Sequence, residues 1–88
     1  MGSGPCRRKA YDYAERVCGR FATVLLQQRQ ARGLSRYALE QSSGVSRVMI
    51  GRIETGASIP TFYVGAQLAR ALEIPLAQLV CLAEEPDR

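Results

Sequence analysis

Ser35 and Ser46 each precede a short stretch of helical spacing that a glycine stops, at Gly44 and at Gly56, and only about three residues separate the two stretches. A serine in this place caps a helix by accepting a hydrogen bond from the N–H groups that the first turn leaves unpaired. Gly44 can take the positive φ that turns the chain sharply from one helix into the next. Two helices joined this tightly make a bihelical unit, and Leu39, Val45, Ile50 and Ile53 are spaced to form one apolar seam between them. The opposite face of the second helix of the pair, with Arg47, Val48, Gly51 and Arg52, then has nothing to pack against.

The rest of the chain also reads as helix, five segments in all, with no segment alternating at period two over a strand's length. The first helix is expected to start at Asp12 or Tyr13, because Asp12 with Glu15 resembles a capping box. Its apolar stripe runs Ala14, Val17, Cys18, Phe21, Val24, Leu25 and Gln28, and Gly33 ends it. Pro60 excludes helix, Thr61 caps a fourth helix to about Leu72, and Pro75 opens a fifth from Leu76 to about Ala83. Residues 1–10 read as a flexible lead, 11–83 as the domain with its bihelical unit at about 35–54, and 84–88 as a frayed acidic tail.

Composition narrows the chemistry. Eighty-eight residues at 47% apolar and 7% aromatic make one small domain with a modest core. There is no histidine, and the three cysteines, Cys6, Cys18 and Cys81, form no Cys-x-x-Cys pair, so no metal site and no cofactor is expected. An odd, scattered cysteine set reads as reduced thiols in a cytoplasmic protein, with Cys18 and Cys81 filling apolar faces. Without histidine, clustered carboxylates or a phosphate-binding glycine loop, the chain is not expected to be an enzyme. The longest nearly apolar run, residues 21–26, is far short of the roughly 20 residues a membrane helix needs, so a soluble chain is expected. Residues 1–52 carry ten basic and three acidic side chains, +7, and residues 53–88 carry two and five, −3. Eleven of the twelve basic residues are arginine, whose planar fork matches phosphates and guanine edges. A polyanion partner fits that asymmetry, although charge alone fits a solvated, mixed-sign surface equally well.

Motif residues add a resemblance. At Gly33-Leu34-Ser35-Arg36, Gly44-Val45-Ser46-Arg47, Ile50, Arg52-Ile53-Glu54 and Gly56, the chain resembles the helix-turn-helix domain of the Cro and phage-repressor (XRE) family. The likeness continues through Pro60-Thr61, Leu68-Ala69-Arg70-Ala71-Leu72 and Leu76 to Val80, in register over residues 19–82. It implies an all-α, five-helix, lambda-repressor-like domain, here with an extended first helix. It also implies sequence-specific binding of double-stranded DNA by a homodimer on a pseudo-palindromic operator, as a small bacterial or phage repressor. The same fold would serve an antitoxin that neutralises a cognate toxin, or a restriction-modification controller protein.

On this reading Arg47 and Arg52 read guanine, Val48 meets a thymine methyl, and Ser46 contacts phosphate or base. Arg36 stands where the family usually has glutamine and is expected to hold phosphate with a full charge, with Thr55 and Ser58 as further phosphate contacts. Arg29 and Glu54 match the family's linking Arg and Glu and are expected to pair internally. Glu40 departs from a usual alanine, so an arginine is expected near it. Gly65 departs from a usual leucine and is expected to make room for Phe21 or the first helix; Glu73 departs from a usual glycine cap. Surplus apolar side chains on the fifth helix, Leu79, Leu82 and Cys81, are expected at the dimer interface, with Leu26 and Tyr13 on the first helix as rivals.

Overall fold

The computed structural model describes residues 3–84. Five helices follow one another: α1 (Ser3–Ala31), α2 (Arg36–Ser43), α3 (Arg47–Glu54), α4 (Phe62–Ala71) and α5 (Leu76–Ala83). No strand occurs among the described residues.

The caps account for the boundaries. Ser35, Ser46 and Thr61 each accept a hydrogen bond from the backbone N–H three residues on, at Ala38, Met49 and Val64. Gly44 takes φ of +80° and its N–H reaches the Glu40 carbonyl, which closes α2 and turns the chain toward α3. Inside that turn the buried Ser43 hydroxyl accepts from the Val45 N–H, and Gln67 Nε2 donates to the Ser43 carbonyl at 3.0 Å. A side chain of α4 is therefore bolted to the α2–α3 corner. The α4–α5 turn is closed by Glu73 at φ of +59°, a left-handed residue where a side chain costs about 1 kcal/mol. Its N–H and that of Ile74 nevertheless satisfy the carbonyls of Arg70 and Ala69 in the same pattern that Gly33 and Leu34 make at the end of α1.

One core holds the five helices. Leu25, Leu39, Ile50, Ile53, Leu68, Leu72 and Leu79 are its largest fully buried members, and Val45 closes the seam between α2 and α3. Breaking this layer by Leu→Ala or Ile→Ala at any of the seven fully buried positions would cost about 2–5 kcal/mol, a large share of what a domain this small holds. Only the second half of α1 joins it; from Tyr11 to Arg16 every side chain is exposed. Arg20 Nε donates to the Ala83 carbonyl at 2.9 Å and ties the last turn of α5 to α1.

Several expectations need correction. The first helix starts at Ser3, not at Asp12 or Tyr13, so residues 3–10 of the expected flexible lead are helical backbone. Asp12 does not cap: its carboxylate pairs with Arg16 one turn on, inside the helix. Pro5 falls in the first turn, where its missing N–H breaks no helical bond. Leu79, expected at a dimer interface, is fully buried in its own chain's core, and Ala83 likewise. Both lie on the face of α5 that turns inward, which leaves Val80, Cys81 and Leu82 outside. Cys81 is accordingly exposed and fills no apolar face, whereas Cys18 is half-buried; Cys6 lies outside the described side chains. Gly65 is not filled by Phe21. A Cβ there would meet nothing nearer than a Leu76 methyl at 3.9 Å, and the missing side chain leaves an apolar groove of about 180 Å³ between α1, α4 and α5.

Candidate nucleic-acid interface

The outer face of α3 is where the expected reading residues gather. Arg36, Arg47, Val48, Gly51, Arg52 and Thr55 line one open recess of about 550 Å³. Val48 is 70% exposed, the position of a side chain free to meet a partner, while Met49 is turned half inward.

The floor beneath this face is an ion-pair cluster. Glu54, at the last turn of α3, has a side chain only 1% exposed. Arg29 of α1 grips it with two bonds, Nε to Oε2 at 2.6 Å and Nη2 to Oε1 at 3.0 Å, and with Nη1 donates to the Leu34 carbonyl at 2.8 Å. One guanidinium thereby ties together the end of α1, the α1–α2 turn and the end of α3. The hydrogen bond from Arg29 to Glu54, opposed by burial and helped by the carboxylate's charge, raises the guanidinium above its ordinary value.

Arg36 reaches the same carboxylate from α2, Nε to Glu54 Oε1 at 3.0 Å. Its guanidinium then lies across Gly51: a Cβ on that glycine would stand 3.2 Å from Arg36 Nη1. Two arginines on one carboxylate leave a net positive charge at the recess, and Arg36, 44% exposed, carries it outward. Arg36 thus helps hold α3 in place as well as lining the candidate interface.

Arg47, at the first position of α3, is neither free nor extended. Its guanidinium lies over the Tyr37 ring, 4.9 Å from the centroid, and its Nε stands 3.3 Å from Glu40 Oε1. That oxygen is shut off from solvent and accepts no aligned hydrogen bond, so charge attraction to Arg47 is what compensates it. The arginine expected beside Glu40 is Arg47 itself. Arg52 folds toward the turn after α3, Nε donating to Ser58 Oγ at 2.9 Å, and Thr55 Oγ1 donates to the Arg52 carbonyl at 3.2 Å. Ser58 is thus engaged by Arg52, and the Ser46 oxygen caps α3, its hydroxyl proton remaining for a ligand.

Sequence reasoning missed three contributors. Tyr37 gave no signal beyond being an aromatic on a polar helix. Gly51 was placed on the outer face but not as the seat of Arg36. Gln67 could be linked to the α2–α3 corner only in three dimensions.

A family model described as helix-turn-helix matches residues 25–79, and the chain belongs to that family, of the Cro and phage-repressor type its motif residues resemble. It is also similar to the HTH-type transcriptional regulator SutR of Escherichia coli (strain K12), 37% identical over 59 residues, which are 67% of this chain and 33% of that protein. The chain thus corresponds to about a third of the length of that curated relative.

Proposed function

We infer that this chain binds double-stranded DNA sequence-specifically through the outer face of α3, as a homodimer, and so represses transcription. The observation that carries the reading is the recess itself. Three arginines, Arg36, Arg47 and Arg52, converge on one outward face with Val48 between them; Arg36 is held through Nε, Arg47 faces Glu40 through Nε, and Arg52 donates from Nε to Ser58 and from Nη2 to the Ala57 carbonyl at 3.5 Å, a long contact that a base can displace. Arginines at the start of a helix and further along it, separated by small side chains, suit a major groove, where Nη pairs match guanine O6 and N7. The family and the similarity to a transcriptional regulator support the same conclusion.

The dimer is supported by apolar surface left uncovered. Ile59 is 69% and Phe62 82% exposed, and both line the groove floored by Gly65 together with Val80. Leu82, the other expected interface residue, lines a separate recess beside Arg16, Arg20 and Gln27, and Cys81 borders neither. Phe62 is therefore added to the dimer surface beside the exposed Cys81 and Leu82, and the buried Leu79 drops out of it.

Selection of bound duplexes from a random DNA pool tests the reading. The expected product is a pair of two-fold-related half-sites about one or two helical turns apart; a pool that enriches no sequence overturns it. Sedimentation at micromolar concentration tests the dimer. A parent that runs as a dimer and a Phe62→Glu variant that runs as a folded monomer are expected, and a monomeric parent removes the dimer from the reading.

A further inference from the structure

We propose that Glu40 and Tyr37 of α2 are positioning residues that set the sequence preference of Arg47, rather than parts of the fold's support. The inference rests on the DNA-binding reading and deepens it.

Three features of the geometry point the same way. First, the two contacts constrain different parts of one guanidinium: the carboxylate faces Nε at 3.3 Å, and the ring lies under the plane with its centroid 4.9 Å away. A planar group contacted at one edge and on one face is biased toward one orientation, although neither contact locks it there. Second, the opposite edge is left open: neither Nη of Arg47 is hydrogen-bonded to any described residue, and the side chain is 58% exposed at the mouth of the recess. The Nη1–Nη2 edge is the one that makes two parallel bonds to guanine, so it is presented without being consumed. Third, the arrangement does little for the fold. Tyr37 is 52% exposed, and Glu40, its side chain 29% exposed, faces Arg47 without an aligned hydrogen bond, a pair of the kind that adds little to stability.

A carboxylate beside a reading arginine also acts on the wrong ligands. Glu40 cancels part of the charge with which Arg47 would otherwise seize any phosphate, and it repels a backbone that approaches out of register. The pair therefore trades non-specific attraction for discrimination. Replacing the carboxylate by its neutral isostere should separate those two quantities, whereas a loss of structure would lower both.

The experiment uses the full chain and the duplex enriched from the random pool, with a scrambled duplex of equal length. Binding is measured for the parent, Glu40→Gln, Tyr37→Ala, Tyr37→Phe, Arg47→Ala and the double variant Glu40→Gln/Arg47→Ala, each checked by circular dichroism for an unchanged helical signal. Glu40→Gln should bind the scrambled duplex as well as the parent or better, and lose about ten-fold in its preference for guanine at one base pair per half-site, the scale of one bidentate contact. Tyr37→Ala should lose that same preference and Tyr37→Phe, which keeps the ring, should retain it. In the Arg47→Ala background Glu40→Gln should change the preference no further, because the two act through one contact.

A full preference in both Glu40→Gln and Tyr37→Ala, or an effect of Glu40→Gln that persists without Arg47, overturns the proposal while leaving the DNA-binding reading intact. A parent that enriches no sequence overturns that reading and the proposal with it. Tyr37, being exposed, supplies a variant whose folding is not at issue if Glu40→Gln proves unstable.

Discussion

Two carboxylates join α2 and α3 in opposite directions. Glu54 on α3 is reached by Arg36 of α2, and Glu40 on α2 is reached by Arg47 of α3. The chemistry is the same, yet the environments differ. Glu54 is almost fully buried and takes three hydrogen bonds from two arginines; Glu40 has a side chain 29% exposed and faces one arginine without an aligned hydrogen bond. A buried, multiply bonded charge must keep its partners, because removing one strands the other away from water. A part-exposed pair gains little net energy and can be rearranged by a ligand at small cost. The first carboxylate therefore supports the platform, and the second is suited to adjusting what the platform presents.

Substitutions at each carboxylate and its arginines test whether the two differ in this way. The largest effect is expected from Glu54→Gln, which leaves Arg29 without its counter-charge; urea denaturation should show a loss of about 3–5 kcal/mol, approaching the whole stability of so small a domain. A loss below about 1 kcal/mol would mean that the cluster supports nothing. Next, Arg47→Ala should cost about 1–3 kcal/mol on the enriched duplex and relax one base pair, with the denaturation midpoint almost unmoved. Equal losses on enriched and scrambled DNA would make Arg47 a phosphate contact.

Arg36→Ala belongs to both halves of the contrast and should show a smaller effect in each. Glu54 keeps Arg29, so stability should fall by about 1 kcal/mol, while affinity for every duplex weakens and the slope of log affinity against log salt flattens by about one ion. An unchanged slope would confine Arg36 to its structural role. The smallest effect is expected from Glu40→Gln on stability, within about 0.5 kcal/mol of the parent. A loss of several kcal/mol there would erase the distinction between the two carboxylates.

Much of the scaffold was legible because it is written in local chemistry. Ser35, Ser46 and Thr61 cap where their spacing predicts, since an N-cap needs only a hydroxyl and the next turn's N–H groups. Leu39, Val45, Ile50 and Ile53 are buried together because helical periodicity assigns them one face. Asp12 misled for the same reason that caps succeed. An acidic residue three before a glutamate has the same pattern at a helix start and in mid-helix, and the pair with Arg16 decided for the latter. Leu79 misled because α5 is apolar on more than one side, and only the direction from which α1 and α4 approach selects the buried side.

Five helices, their order, the tight corner at Gly44 and the set of arginines available to a polyanion can all be read along the chain. Each of those follows from interactions within a few residues along the chain, where geometry is set by covalent connection. How the arginines are used depends instead on helix packing. Arg29 and Glu54 lie 25 residues apart and Arg36 and Glu54 18 apart, and which guanidinium reaches which carboxylate depends on the crossing of helices that one shared core imposes. Burial then separates pairs of identical chemistry, because water competes for a charge at the surface and cannot reach one beneath it.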